Sequence, residues 1–160
     1  MAAATVPVSS IAAKQPSSRL PTVPCDRIIL VASSGTEGGY RVVLGTVSVP
    51  GARNSPTASP TLSEPWPYFR KMGLVIRAGS PSVVISVAEK WRGRAVITWG
   101  GNQDPKTALR IASCPSYGKP WNVYAGGLYL RSPTGCVDLV FSVGRRSTTV
   151  RFAIGARCDG

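Results

Sequence analysis

The sequence predicts an all-β protein, an antiparallel β-sandwich of the immunoglobulin-like kind with about eight or nine short strands. Seventeen glycines and fourteen prolines in 160 residues interrupt the chain too often for long helices. Short β-rich segments recur at intervals of roughly 8–12 residues, with turn residues between them. No segment has the apolar spacing of an amphipathic helix. A small β-barrel is the alternative fold.

The length suffices for one domain and a tail. Residues 1–24 are rich in Ala, Ser and Pro and predict an extended tail or stalk, which leaves 25–160 as the sandwich domain. Residues 1–10 lack the basic and apolar regions of an intact signal peptide, so we expect any export signal or anchor to lie outside this sequence. No apolar run approaches the roughly 20 residues of a membrane-spanning helix.

The first predicted strand is the apolar run 28–31, which we expect to be buried. A β-rich stretch over 40–49 ends at Pro50. Residues 50–67 contain five prolines and predict a long irregular crossing loop. Another short strand is predicted over 73–78.

In the segment 82–88, alternate apolar residues share one face. We expect it to form a hairpin with 95–99, through the loop 89–94. A further strand is predicted over 109–113.

The last third has the clearest pattern. A strand is predicted over 123–130, with a bulge at Gly126-Gly127. Alternating residues over 137–143 and 150–154 predict a half-buried hairpin.

Cysteine usage predicts an oxidising compartment. The four cysteines are Cys25, Cys114, Cys136 and Cys158, none is spaced C-x-x-C, and the chain contains no histidine. Two disulfides are the simplest interpretation and no metal site is expected. Of the three possible pairings we expect Cys114–Cys136 with Cys25–Cys158. Four free thiols in a cytosolic protein are the alternative.

Charge indicates polyanion binding rather than catalysis. Nineteen Lys and Arg face seven Asp and Glu, which gives a net charge of +12. Such a field attracts nucleic acid, anionic lipids or cell-envelope polymers, although it can also serve solubility alone. The absence of histidine, the scattered carboxylates and the lack of catalytic motifs lead us to expect no enzymatic activity and no cofactor.

The first candidate binding segment contains Lys90, Trp91, Arg92 and Arg94. At a hairpin tip, the indole could stack on a sugar or base while the cations hold an anion. Alternatively, Trp91 folds over the sheet edge and the cations are solvated.

Two further candidates combine aromatic and basic residues. The segment 66–71 (WPYFRK) could form a platform, or could close one end of the sandwich. Trp121, Tyr124, Tyr129 and Arg131 could line a ligand site, or could be core around a disulfide.

Several short segments together form a recognisable pattern: Gly39–Gly45, Ile97–Gly100, Ala112–Pro115, Trp121 with Tyr124–Tyr129, Gly135–Val137 and Gly155–Cys158. This pattern resembles one in secreted or membrane-anchored proteins of high-GC Gram-positive bacteria. The likeness spans most of 25–158. The resemblance implies an exported ectodomain with two disulfides, and it implies no reaction.

Together these features predict a non-catalytic, extracellular or cell-surface domain. We expect it to bind an anionic envelope polymer, a carbohydrate or another protein. A basic nucleic-acid-binding domain is the alternative.

Overall fold

The computed structural model describes residues 20–51, 56–101 and 104–158. This part of the chain forms fourteen β-strands and three short 3₁₀ turns, at Cys25–Arg27, Glu37–Gly39 and Glu89–Trp91. The strands are β1 (Thr22–Val23), β2 (Leu30–Ala32), β3 (Tyr40–Val43), β4 (Val47–Pro50), β5 (Ser59–Pro60), β6 (Tyr68–Lys71), β7 (Leu74–Arg77), β8 (Val83–Val87), β9 (Ala95–Trp99), β10 (Ala108–Ile111), β11 (Trp121–Tyr124), β12 (Gly126–Leu130), β13 (Gly135–Val143) and β14 (Arg146–Ile154). No helix in these ranges is long and apolar enough to cross a bilayer.

The strands form three sheets around one hydrophobic core. Sheet 1 has the order β1-β10-β8-β13-β14, sheet 2 has β2-β11-β7-β4-β3, and sheet 3 has β5-β6-β12-β9. All strand pairs are antiparallel except β1 with β10. The core takes side chains from every sheet, among them Ile85, Leu74 and Leu128, none of which is exposed to solvent.

The predicted all-β fold is confirmed, with more strands than the eight or nine expected. The additional strands include β1 and β5, which have two residues each and lie in proline-rich segments where no alternation is visible. β5 lies within the 50–67 stretch predicted as a loop, of which residues 52–55 are outside the described ranges. β1 lies in the stretch assigned to the tail, although Val23 is buried in the core.

Strand β2 corrects the expectation of a buried strand at 28–31. It forms the edge of sheet 2, and Ile29 and Leu30 are 59% and 53% exposed. Apolar composition alone did not distinguish an edge strand from a central one.

The hairpin predicted between 82–88 and 95–99 is wrong. β8 pairs with β10 and β13 in sheet 1, whereas β9 pairs with β12 in sheet 3. The turn over 89–94 therefore carries the chain from one sheet to another. Alternation identifies the buried face of a strand, but it does not identify the strand's partner.

The single strand predicted over 123–130 is wrong as well, because the structure has two strands in this region. The chain leaves sheet 2 after Tyr124 and enters sheet 3 at Gly126. By contrast, the last hairpin is confirmed, since β13 and β14 pair over nine residues, from Gly135 opposite Ile154 to Val143 opposite Arg146.

Both disulfides form, but in a different pairing from the one we expected. Cys25 is bonded to Cys114 and Cys136 to Cys158. Parallel pairing of β1 with β10 brings together the cysteines that follow these strands. Antiparallel pairing of β14 with β13 returns Cys158 to the start of β13, where Cys136 lies. Strand pairing, rather than loop length, decides the connectivity.

Candidate functional site

The outer face of sheet 3 combines aromatic and basic side chains. Tyr129 of β12 lies opposite Phe69 of β6, and Gly127 lies opposite Lys71. Because side chains two residues apart share a face of a strand, Phe69 and Lys71 point the same way, as do Tyr129 and Arg131. We call Phe69, Lys71, Arg94, Tyr129 and Arg131 the aromatic–basic face.

The centre of this face is an aromatic pair. The Phe69 and Tyr129 ring centroids are 4.6 Å apart with the planes tilted by 40°, and both residues are only partly buried. Next to the pair, Gly127 places no side chain over the sheet. An open depression beside the pair has a volume of about 260 Å³, and its lining includes both rings with Lys71, Thr98 and Gly126. Apolar ring surface beside an ammonium group suits a ring-shaped ligand with an acidic substituent.

The basic end of the face is organised by two tryptophans. The Arg94 guanidinium carbon lies 4.2 Å from the Trp91 ring centroid, and that of Arg131 lies 5.2 Å from the Trp66 ring centroid. The Arg131 backbone N–H donates to the Arg94 carbonyl oxygen at 3.2 Å, which extends the β9–β12 ladder by one pair. A second depression of about 220 Å³ lies against Trp91, Arg94 and Arg131.

Asp138 positions the turn that carries Trp91. Its carboxylate lies 2.5 Å from Lys90 Nζ and accepts hydrogen bonds from Arg151 Nε at 2.8 Å and Nη2 at 3.2 Å. The Ala88 N–H also donates to the Asp138 carbonyl oxygen at 3.0 Å. The Arg151 hydrogen bond, with further help from Lys90, holds the pKa of Asp138 below its ordinary value, against the opposing effect of burial.

The cations of the face are available for an external anion. Lys71, Arg94 and Arg131 are exposed, and no carboxylate of the described chain lies within 4.0 Å of their charged nitrogens. Their positive charge is therefore uncompensated by close ion pairs. Arg94 is further fixed by its Nη2 donating to the Lys90 carbonyl oxygen at 2.7 Å.

The structure separates the residues of the first predicted segment. Trp91 and Arg94 contribute to the basic end, where Trp91 also packs against Gly135 of β13. Lys90 is paired with Asp138 instead, and the Arg92 side chain is exposed.

The third predicted group is also divided. Tyr129 and Arg131 join the face, whereas Trp121 lies in sheet 2, nearly buried, with Arg77 4.6 Å above its ring. Tyr124 is fully buried, with its hydroxyl 3.4 Å from Cys114 Sγ. Burial, with a smaller contribution from Tyr117, raises the pKa of Tyr124 to about 12. Trp121 and Tyr124 therefore have structural roles. The predicted bulge, which lies between them and Tyr129, is the place where the chain crosses from sheet 2 to sheet 3.

The segment 66–71, predicted to form either a platform or the closure of one end of the sandwich, contributes to this face. Three of its members, Trp66, Phe69 and Lys71, now belong to or border the face. The alternation of Phe69 with Lys71 was the available signal, because it places both on one face of a strand.

The chain matches no protein-family model, no curated protein and no solved structure in comparisons with each.

Proposed function

We propose that the protein is an exported, non-catalytic domain that binds an anionic carbohydrate polymer of the cell envelope through the aromatic–basic face. The observation that carries this proposal is the aromatic pair Phe69–Tyr129 on the same sheet face as three exposed cations that have no close carboxylate partner among the described residues. Aromatic faces provide apolar contact for sugar rings, while guanidinium and ammonium groups bind carboxylates or phosphates.

The cysteines support export, because all four are in disulfides, which are typical of oxidising compartments. The excess of twelve positive charges would increase the local concentration of an acidic polymer and speed its association.

The proposal is tested by isothermal titration calorimetry of the full chain with alginate, an acidic polysaccharide, at low salt. The test variants are Tyr129→Ala and the double variant Arg94→Ala/Arg131→Ala. Arg145→Ala is the matched control, because Arg145 is an exposed cation at the turn between β13 and β14. We expect alginate binding that weakens as salt rises, is weakened by both test variants, and is unchanged in the control.

Equal affinity in all variants would contradict the assignment to this face. Absence of binding to acidic polysaccharides at low salt would contradict the proposed function itself.

Nucleic-acid binding is the second candidate, and the net charge of +12 favours it. A single-stranded DNA oligonucleotide in the same titration separates the two. Tighter binding to DNA than to alginate at matched salt would favour the second candidate.

A further inference from the structure

We infer that the ligand is a linear acidic polysaccharide that lies along the β12 strand direction and contacts cations at both ends of the aromatic–basic face. This inference rests on the proposed function and specifies which ligands the face selects. Its basis is the order of residues along the face, with Arg94 and Arg131 at one end, Phe69 and Tyr129 in the middle, and Lys71 beyond them.

The register gives the distance between the two basic ends. Lys71 lies opposite Gly127, which is four residues before Arg131 on the same chain segment. At about 3.3 Å per residue, the backbone of Lys71 is about 13 Å along the strand from that of the Arg94 and Arg131 pair. A chain with several acidic groups would match both ends of the face at once.

The middle of the face fits a single ring. Tyr129 lies halfway between Arg131 and Gly127, and the depression beside it has a volume of about 260 Å³. Ligand pockets for whole small molecules are usually about 300–1,000 Å³. The depression, which Lys71 also lines, therefore suits one unit of a chain, with the following units continuing past the rings toward Arg94 and Arg131.

Two observations favour a polysaccharide over a nucleic acid. The Phe69 and Tyr129 rings contact each other with centroids 4.6 Å apart, so they form one apolar surface rather than a slot that encloses a base. The disulfides also indicate an oxidising compartment rather than the reducing cytosol or nucleus.

The experiment is a titration of the full chain with alginate oligomers of increasing length, beginning with the disaccharide. Neutral cellulose oligomers of the same lengths are the ligand control, and Lys71→Ala is compared with wild type and with Arg145→Ala. We expect affinity to rise with alginate length until the oligomer reaches both basic ends. Lys71→Ala should lose about two- to fivefold in affinity for the long oligomers, whereas Arg145→Ala should not.

Lys71→Glu is the second variant. We expect it to weaken the binding of long oligomers further, because the new carboxylate repels their acidic groups. Teichoic acid, a phosphate polymer, determines whether phosphate can replace carboxylate, and it should show the same dependence on Lys71.

The possible failures differ from one another. Binding that depends on Tyr129 and Arg94 but not on oligomer length or Lys71 would overturn this inference and leave the proposed function intact. Binding of no acidic oligomer would overturn both. Tighter binding of single-stranded DNA than of any alginate oligomer at matched salt would also overturn the inference.

Discussion

At the scale of single residues, Asp138 connects sheet 1 to the candidate site. It lies on β13 and is 4% exposed, and it holds Lys90 and Arg151 by direct contacts. Lys90 precedes Trp91 in the turn between β8 and β9, so the ion pair fixes the position of that turn. Asp138, which lies outside the aromatic–basic face, thus helps to order the basic end of that face.

We expect Asp138→Asn to reduce the free energy of unfolding by about 1.5–3 kcal/mol, because it removes charged hydrogen bonds from a buried acceptor. Glu37→Gln is the control, since Glu37 is exposed and its carboxylate forms no ion pair with the described residues. Urea unfolding at neutral pH measures both. A loss in Asp138→Asn no greater than in Glu37→Gln would show that the cluster contributes nothing to stability.

The same carboxylate predicts a pH dependence of stability. The pKa of Asp138 is lowered in the folded protein, so its contribution is fully present above the ordinary Asp pKa of about 4 and is lost as the pH falls through the folded-state value. The stability difference between wild type and Asp138→Asn should therefore be constant above about pH 5 and shrink below about pH 4. Urea unfolding over a pH series checks this, and a difference that persists at low pH would contradict it.

At the scale of elements, apolar composition does not by itself decide burial. β2 is an edge strand with Leu30 half exposed, whereas β12 is central in sheet 3 with Leu128 fully buried. Both segments contain leucine, and local sequence does not predict this difference.

Two substitutions test this contrast. We expect Leu128→Ala to cost about 2–5 kcal/mol, because it opens a cavity among core side chains. Leu30→Thr should cost within about 0.5 kcal/mol, because Leu30 remains half in solvent. Thermal or urea unfolding measures both, and similar losses would mean that the edge of sheet 2 is covered in solution.

The elements also explain what sequence could predict. The β13–β14 hairpin was accessible because its strands are adjacent in the chain and its alternation is regular. The β8–β9 hairpin failed because the partners of β8 are distant in sequence, and pairing between distant strands leaves no local pattern. The predicted grouping of Trp121 and Tyr124 with Tyr129 was divided for a similar reason, because the chain changes sheet between them and local sequence does not show this. Charge and aromatic content indicated a binding surface, but only the register assembled Phe69, Tyr129 and Arg131 into one.

At the scale of the whole molecule, the two disulfides constrain chain segments of very different length. The Cys25–Cys114 bond spans 89 positions and Cys136–Cys158 spans 22. In the chain-entropy treatment, a longer closed loop removes more freedom from the unfolded chain.

We expect Cys25→Ala/Cys114→Ala to lose about 4.5 kcal/mol and Cys136→Ala/Cys158→Ala about 3.5 kcal/mol of unfolding free energy. Equilibrium unfolding of the two double variants gives the comparison. A non-reducing peptide map of the wild type checks the pairing itself, and a Cys114–Cys136 peptide would refute it.

The two disulfides follow one another along the chain without overlapping, so residues 115–135 belong to neither closed loop. A single backbone cut between 26 and 113 would leave the products covalently joined. A cut in the exposed stretch 116–119 would instead release two fragments, each with its own internal cross-link. Each of the three sheets would then contain strands from both fragments. Reassembly of the two fragments would therefore have to restore strand pairing in all three sheets without a covalent link.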